Sequence, residues 1–238
     1  MISFIIPTLN EEKTIEKTLK CISEYLGEKE IIVSDGNSTD RTIEIVKKYT
    51  DKVIVYKGSK RQTIAQGRND GAKIAQGEFV VFMDADVTIA DINFFMNKML
   101  NNFTNKKILA TTTIYRVEKD LEGFLDMIIF TTLGYWFSVL NNLFRFGASG
   151  GEFLMVRKEA FVKIGGFNEN LAAAEDMDLM WRLNKIGRTY SDISLNIFHS
   201  GRRAHKVGWP KLLFQWTSNC VGAFLFKKPM SKEWKEIR

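Results

Sequence analysis

Residues 77–91, GEFVVFMDADVTIAD, set two aspartates directly behind an apolar run. The run Phe79–Met83 is apolar at every position, a pattern typical of a strand buried on both faces of a parallel sheet. Asp84 and Asp86 follow it, separated only by Ala85. Two carboxylates at a strand end suit a hard divalent cation, which usually completes its shell with substrate phosphates. The stretch therefore predicts a buried strand ending at a Mg²⁺ or Mn²⁺ site; a turn in which an Asp caps the next helix is the alternative.

Three strand-and-helix units precede this strand and predict the fold. Apolar strands are predicted at residues 3–7, 30–34 and 53–56, and helices at 11–26, 39–49 and 60–76. Helix 11–26 carries one apolar face, formed by Ile15, Leu19, Ile22 and Leu26. The next helix has an expected N-cap at Ser38 or Thr39. Repeated βα units with apolar strands predict an α/β fold, with a mostly parallel central sheet flanked by helices.

Polar residues gather where the predicted strands end. Thr8, Asn10 and Glu12 follow the first strand, and Asp35 follows the second. In open parallel sheets the ligand lies at the carboxyl ends of the strands. The first strand is not followed by GxGxxG, and the sequence contains no GxxxxGK[ST], so a dinucleotide Rossmann site and a P-loop are both disfavoured.

Composition indicates a globular protein of the cytoplasm. The 238 residues are 45% hydrophobic and 26% charged, with three prolines. The two cysteines form neither a metal-binding spacing nor a disulfide framework, which favours a reducing compartment. The first residues, MISFIIPTLNEE, have no basic region or cleavage site and are expected to form a strand rather than a signal peptide.

The net charge of +6 is concentrated near the C-terminus. Residues 193–232 contain no Asp or Glu. Such a basic segment can face nucleic acid, anionic lipid or a phosphorylated substrate. Nucleic acid is disfavoured because the carboxylates at the strand ends would repel phosphate unless a cation intervened. The basic residues of this segment are Arg202, Arg203, Lys206, Lys211, Lys227, Lys228 and Lys232.

Two uncharged, aromatic-rich segments, 127–144 and 212–226, depart from the pattern of a plain soluble protein. The first approaches the length of a membrane span but is diluted by Thr, Ser, Gly and Asn, and the second is too short. Beside a basic cluster they are typical of interfacial helices lying on a membrane, with Trp136, Trp209 and Trp216 suited to the headgroup zone. Packing on the body of the protein or at a dimer interface is the competing interpretation.

Five further motifs occur in a fixed order along residues 1–188. They are FIIPTLNEEKTIEKTL, IIVSDGNSTDRT, GRNDGAKIAQGEFVVFMDADV, GGEFLMVRKEAFVKIGGFNE and AEDMDLMWRL. In order and spacing they resemble the motifs of family 2 glycosyltransferases, which have the GT-A fold. The resemblance implies an inverting glycosyltransferase that uses a nucleotide-sugar, with UDP expected, and Mg²⁺ or Mn²⁺.

The resemblance also implies roles for individual residues. Asp176 is the implied general base. Asp84 and Asp86 are the implied metal ligands, and His199 is an additional one. The residues implied to hold the nucleotide-sugar are Pro7, Thr8, Asn10, Glu12, Asp35, Arg68, Asp84 and Ala85.

The same likeness divides the chain and suggests its partners. Residues 1–120 are expected to bind the nucleotide-sugar, 121–147 to form an apolar helical insertion suited to an interface, 148–200 to form the acceptor and catalytic half, and 201–238 to form a basic, aromatic helical segment. The expected acceptor is a sugar, a lipid or a polyprenyl phosphate, met at the inner face of the cell membrane by peripheral contact. No nucleic acid partner is expected.

Several alternatives stay open from the residues alone. Asp176 and Asp178 could cap a helix that ends near Ile186, Arg68 could lie on a helix surface, and His199 could be a packed histidine. A catalytically silent membrane scaffold is a second function class, but it would not need Asp84, Asp86 and Asp176. A sugar-nucleotide pyrophosphorylase usually has a Gly-rich basic loop after its first strand, where this chain has the acidic PTLNEE.

Overall fold

A seven-stranded sheet runs through the computed structural model, which describes residues 1–226. Its order is β3-β2-β1-β4-β6-β5-β7, and β6 alone runs antiparallel to its two neighbours. The prediction of a mostly parallel sheet is therefore confirmed. The strands are β1 Ile2–Thr8, β2 Lys29–Asp35, β3 Val53–Val55, β4 Phe79–Met83, β5 Ile108–Val117, β6 Phe153–Arg157 and β7 Arg188–His199.

Helices cover both faces of this sheet, as predicted. Leu19 and Met96 pack in the core on one face, and Ala72 and Leu179 pack in the core on the other. The helices are α1 Ile15–Ser23, α2 Thr42–Val46, α3 Ile64–Ile74, α4 Ile92–Asn102, α5 Phe124–Ser138, α6 Lys158–Lys163, α7 Glu175–Asn184, α8 Arg202–Val207 and α9 Trp209–Val221. Two π-helical turns, Val139–Leu143 and Gly222–Phe226, extend α5 and α9.

Strand β4 occupies the centre of the sheet. It pairs parallel with β1 and antiparallel with β6, and all five of its residues are buried. Beyond its last residue, the backbone N–H of Asp84 donates a hydrogen bond to the carbonyl oxygen of Glu152 at 3.1 Å. The pairing therefore continues one step past Met83 and fixes where the Asp84 side chain leaves the sheet.

Several predicted helix boundaries were wrong, including both ends of α2, which spans Thr42–Val46 rather than residues 39–49. Helix α1 begins at Ile15 rather than at residue 11, because the Glu11 carbonyl closes a turn with the N–H groups of Thr14 and Ile15. Leu26 lies beyond the end of α1 and is 90% exposed, so it does not belong to the buried face. Helix α3 begins at Ile64, where Thr63 and Gln66 form a capping box, rather than at residue 60.

The predicted cap of α2 was also wrong. Its N-cap position is Arg41, which provides no side-chain cap. Ser38 is used elsewhere, since its N–H and hydroxyl both donate to the carboxylate of Asp35. Thr39 donates to the side-chain oxygen of Asn10. These residues stabilise the loop after β2 rather than the helix that follows it.

The uncharged segment 127–144 lies within α5 and its π-helical turn. The stretch Phe124–Leu143 is long and apolar enough to cross a membrane by length and composition, and 28% of it is buried against the rest of the protein. The segment 212–226 lies within α9 and the second π-helical turn. The expected basic residues Lys227, Lys228 and Lys232 lie outside the described residues.

Candidate active site at the carboxyl end of the sheet

A cavity of about 810 Å³ lies where β1, β2, β4 and β7 end. Elements that are distant in sequence contribute to its wall, because the carboxyl ends of parallel strands meet at one edge of a sheet. Eight of the predicted site residues line it: Pro7, Thr8, Arg68, Asp84, Ala85, Asp86, Asp176 and His199.

The buried Arg68 side chain connects the residues after β4 to the first turn of α7. It is 2% exposed, and its Nη2 donates to Asp84 Oδ1 at 2.9 Å and to the Gly151 carbonyl at 2.8 Å. Its Nη1 donates to Glu175 Oε1 at 3.0 Å. The alternative of a surface helix residue is wrong for Arg68, since the side chain points from α3 into the core beside the Phe167 ring.

Asp84 presents part of its carboxylate to the cavity, with 33% of the side chain exposed. Burial raises its pKa, and repulsion from Asp86 adds to the rise, while the Arg68 guanidinium opposes it. Asp86 accepts a hydrogen bond from the Ser200 hydroxyl, and its Oδ2 lies 3.6 Å from Nε of Arg202. The two aspartates are thus held by different partners from opposite sides.

The sequence alone identifies Arg202 only as part of a basic segment. In the structure its Nη1 and Nη2 donate to the two carboxylate oxygens of Glu11 at 2.7 and 2.6 Å. A bidentate pair of this kind fixes the guanidinium in position. Glu11 and Arg202 are separated by 191 residues, so no local pattern could have predicted the contact.

Asp176 lies in the first turn of α7, where it is 8% exposed. Burial, together with repulsion from Glu175, raises the pKa of Asp176 to about 7. A Cβ on Gly151 would meet Asp176 Oδ2 at 3.0 Å, and Gly151 has φ +93°, so this position favours glycine. Ala174, just before α7, has φ 63°, a strained conformation for a residue with a side chain.

Neighbouring Asp178 does not face the cavity. Its carboxylate pairs with Arg182 at 2.7 Å, one turn along α7. Arg182 also donates to the carbonyl oxygens of Ile164 and Gly166. Asp178 and Arg182 therefore hold α7 against the preceding loop. The alternative that Asp178 caps this helix is wrong, since the N-cap position is Ala174 and no side chain caps it.

Glu152 is a site residue that the sequence reasoning missed. It follows the glycine pair in GGEF and lines the same cavity. Burial raises the pKa of Glu152 well above its ordinary value, and repulsion from Asp84 adds to the effect. Its Oε2 is buried and has no hydrogen-bond partner within residues 1–226. The only sequence signal was its place directly after a Gly-Gly pair.

His199 ends β7 and is 8% exposed. Burial lowers its pKa, although the charge of Asp86 opposes the shift, so the imidazole is neutral at physiological pH. The Gly201 N–H donates to Nδ1 at 3.2 Å, which leaves the ring proton on Nε2. Nε2 is buried without a partner in the described part of the chain. Ligation of a cation through Nε2 would require this proton to move.

The remaining predicted nucleotide residues, Asn10, Glu12 and Asp35, do not line this cavity. Asp35 is fully buried and accepts hydrogen bonds from Thr8 Oγ1 at 3.0 Å and Ser38 Oγ at 2.6 Å. Asn10 accepts from the Thr39 N–H at 2.8 Å, and Glu12 lies beside Arg41. Here these three side chains organise the loops after β1 and β2; direct contact with a nucleotide stays a prediction for each of them.

The residues at the cavity fit a divalent cation that takes few ligands from the protein. Carboxyl groups slightly outnumber basic groups in the cavity wall, which contains six of the first and five of the second: Glu11, Asp84, Asp86, Glu152, Glu175 and Asp176 against Lys60, Arg61, Arg68, Arg202 and Arg203. Between residues 1 and 226, no three His, Cys, Asp or Glu side chains form a group that could hold a metal ion. Mg²⁺ and Mn²⁺ commonly bind through one or two carboxylates plus substrate phosphates. Whether Asp84, Asp86 and His199 act as ligands stays a prediction.

Comparison with known proteins identifies a family model and relatives that this chain matches. Residues 3–164 match the model of the family described as glycosyl transferase family 2. The beta-monoglucosyldiacylglycerol synthase of Nostoc sp. is 28% identical over 194 residues, which are 77% of this chain and 41% of that protein.

Two solved structures share the fold. The mannosyltransferase PcManGT from Pyrobaculum calidifontis, in complex with GDP-Man and Mn²⁺, has a TM-score of 0.68 at 20% identity, over 84% of this chain and 56% of that chain. TarS 1-349 of S. aureus in complex with UDP has a TM-score of 0.64 at 22% identity, over 82% of this chain and 59% of that chain. The chain thus spans less than two thirds of each of these proteins, and the expected GT-A fold is confirmed.

Proposed function

The chain belongs to glycosyl transferase family 2, and from that membership we propose its reaction: a metal-dependent, inverting transfer of a sugar from a nucleoside diphosphate to an acceptor. The proposed donor is a UDP-sugar, the proposed acceptor is lipid-linked, and the proposed location is the cytoplasmic face of the cell membrane. One observation carries the proposal: Asp84, Asp86 and Asp176 face a single cavity at the carboxyl end of the sheet.

The nucleotide is proposed to bind at the end of the cavity formed by β1, β2 and α3. Pro7, Ser34, Gly36 and Gly67 line this end, where small residues leave room for a base and ribose. The Gly36 N–H is tied to the Thr8 carbonyl at 2.8 Å, which holds the two strand-end loops together. The choice of uridine is supported by the family likeness and by UDP in the TarS complex; guanosine is the competitor, since PcManGT holds GDP-Man.

Asp176 is the proposed general base. The acceptor oxygen forms a bond to the anomeric carbon as its proton passes to Asp176. The bond from the anomeric carbon to the diphosphate oxygen breaks, and the nucleoside diphosphate leaves with the electron pair. A single displacement of this kind inverts the anomeric configuration. A base with a pKa near 7 is well matched to this task at neutral pH.

The divalent cation is proposed to bind at Asp84 and Asp86. When bound, it would stabilise the negative charge that develops on the departing diphosphate. Arg68 orients Asp84, and Ser200 with Arg202 orients Asp86. Support comes from the slight excess of carboxyl groups at the cavity and from the Mn²⁺ in the PcManGT complex.

The lipid-linked acceptor and membrane contact are supported by the surface of α5 and by one relative. Helix α5 exposes Leu125, Tyr135 and Trp136, and the turn after it exposes Leu143 and Phe144. Apolar surface of this extent beside a basic segment is typical of a membrane-facing helix. The Nostoc relative is named for a glucosylated diacylglycerol.

The first test is thermal stability with UDP, GDP and dTDP, each with Mn²⁺ and then with EDTA. A ligand at 100 times its Kd stabilises the fold by about 2.7 kcal/mol. We expect the largest shift with UDP and Mn²⁺, and its loss with EDTA. If no nucleotide raises the melting temperature of the folded protein in detergent, the silent-scaffold hypothesis replaces the transferase proposal.

A further inference from the structure

The cavity that holds Asp176 has a second, apolar compartment. Its wall is formed by one side of α5 and one side of α9. On α5 and the π-helical turn that extends it, the lining residues Leu133, Phe137 and Leu140 recur at spacings of four and three, which is one helical face. On α9 the residues Leu213, Trp216 and Cys220 do the same.

Aromatic contacts join the two helices at the inner end of this compartment. The Phe130 ring of α5 lies 5.1 Å from the Trp209 ring and 6.3 Å from the Trp216 ring, centroid to centroid. Asp126 adds a polar tie, since it accepts hydrogen bonds from Trp209 Nε1 at 2.8 Å and from His205. Two apolar helical faces are therefore held in position around a space instead of interlocking across it.

The compartment lies on the acceptor side of the site. The proposed nucleotide end is formed by Pro7, Ser34 and Gly67, which lie together in the cavity wall. Cys220 on α9 also lines the cavity and is close enough to Asp176 for its charge to add to the burial that raises the Cys220 pKa. The apolar wall thus begins beside the proposed base.

We infer that the cleft between α5 and α9 binds the hydrocarbon chain of a lipid acceptor, so that the head group of that lipid reaches Asp176. This inference rests on the proposed function, because it assigns the acceptor of the same reaction. A water-soluble glycan would leave Leu133, Phe137, Leu213 and Trp216 in contact with water. A hydrocarbon chain would cover them, and each buried methylene would tighten binding roughly fourfold.

The outer surface of the same helices provides continuity with a bilayer. Trp136 lines the cavity and is also 54% exposed, so it lies at the mouth of the cleft. Phe214 on α9 and Val139 after α5 are exposed apolar residues on the two flanking elements. A chain that leaves the cleft therefore meets an apolar surface, and a lipid can enter without first passing through water.

The test compares n-octyl phosphate with n-butyl phosphate, both below micelle-forming concentrations, by calorimetric titration of the full chain. We expect octyl phosphate to bind at least tenfold more tightly. Leu133→Asn and Leu213→Asn should remove most of that preference. The matched controls Ile128→Asn and Phe214→Asn lie on the same two helices but outside the cavity wall, and should keep it.

Equal binding of the two phosphates to the unmodified protein would overturn the inference, whether or not a variant folds. The inference would also be overturned if the two control variants lost the preference for octyl phosphate while the two cleft variants kept it. The alkyl chain would then adsorb to the outer surface of the helices. The thermal shift with UDP and Mn²⁺ separates this failure from that of the transferase proposal. That shift should survive in Leu133→Asn and Leu213→Asn.

Discussion

Asp176 combines two properties that oppose each other. A buried carboxyl with a raised pKa is a suitable base near pH 7, but its ionisation costs folding free energy. We expect Asp176→Asn to lower kcat by 10²- to 10⁴-fold, because the acceptor hydroxyl loses its base. In the unmodified enzyme, kcat/KM should fall as the pH drops below about 7. Transfer assays between pH 5 and pH 9, with a UDP-sugar and an acceptor, test the lowered kcat of the variant and the pH dependence of kcat/KM.

The same substitution has a stability signature that an unimportant residue would lack. Because the folded state holds the Asp176 proton more tightly than the unfolded state does, stability is lost as the pH rises from about 4 to about 7. The asparagine of Asp176→Asn carries no charge, so the variant does not lose stability over this pH range. By urea denaturation, its free energy of unfolding should exceed that of the unmodified protein by on the order of 1–4 kcal/mol at pH 8 and should equal it at pH 4. Full turnover in the variant would exclude Asp176 as the base.

Asp84 is both a candidate metal ligand and a partner of the buried Arg68. Asp84→Ala would leave Arg68 with less compensating charge and would cost stability for that reason alone. Asp84→Asn is the sharper change, since it retains an oxygen for Arg68 but removes the negative charge. We expect it to abolish the Mn²⁺-dependent part of the thermal shift with UDP.

The control for Asp84 is Asp178→Asn. Asp178 pairs with Arg182 and does not line the cavity, so its loss should lower the melting temperature without changing the Mn²⁺-dependent increment. An unchanged increment in Asp84→Asn, in protein that is folded by circular dichroism, would exclude Asp84 from metal binding.

At the scale of elements, Asp126 links α5 to α8 and α9. Burial alone would raise its pKa, but hydrogen bonds from His205, the Gly123 N–H and Trp209 outweigh burial and lower it. Because the pKa of Asp126 is lowered in the folded state, ionised Asp126 contributes to the stability of the fold above about pH 4. This contribution is lost as the pH falls further. Asp126→Asn should cost about 1.5–3 kcal/mol at pH 7, the range for hydrogen bonds to a charged group.

Chemical denaturation at pH 7 and at pH 3 measures this difference, which should shrink at the lower pH. Asp120→Asn, an exposed acid on the loop just before α5, is the matched control and should change stability by less than about 0.5 kcal/mol. If the two variants behave alike, α9 is held by apolar contacts and not by Asp126.

The elements themselves show what the sequence could and could not predict. Buried strand β4 was predicted with its bounds, because five apolar residues flanked by turns leave few alternatives. The start of α1 was wrong because the Glu11 carbonyl bonds within a turn, and that turn is stabilised by the distant Arg202. Helix ends depend on such partners, and a single sequence does not reveal them.

The candidate site likewise contains residues that the sequence could predict and residues that it could not. Asp84, Asp86 and Asp176 were found because they follow a buried strand or open a helix in recognisable motifs. Glu152 was missed because its significance comes from burial beside Asp84. The contacts of the Asp35 carboxylate with Thr8 and Ser38 were not foreseen, and its contact with a nucleotide stays a prediction. Side-chain direction depends on tertiary packing, which local patterns do not encode.

At the scale of the whole molecule, charge and apolar surface coincide. The chain carries +6, and residues 193–232 contain no Asp or Glu, although Arg202 of this segment pairs with Glu11. The exposed apolar residues of α5 continue into Leu143 and Phe144, which are 71% and 64% exposed. We propose that attraction to anionic lipid brings the protein to a bilayer and that insertion of apolar side chains holds it there.

We therefore expect binding to vesicles that contain anionic lipid, weaker binding to neutral vesicles, and loss of the difference at 1 M salt, where the screening length falls to about 3 Å. The double variant Leu143→Ser with Phe144→Ser should bind at least tenfold more weakly, because each side chain contributes about 1.5–3 kcal/mol when buried. Vesicle co-sedimentation over a range of lipid concentrations gives the partition constants.

The matched control is Leu26→Ser, because Leu26 is even more exposed but lies after α1, away from α5 and α9 in the chain. It should leave partitioning unchanged. If Leu26→Ser and the double variant reduce binding equally, adsorption is a general property of exposed apolar side chains. If neither reduces it while salt abolishes it, charge alone attaches the protein, and α5 contributes through the cleft rather than through its outer face.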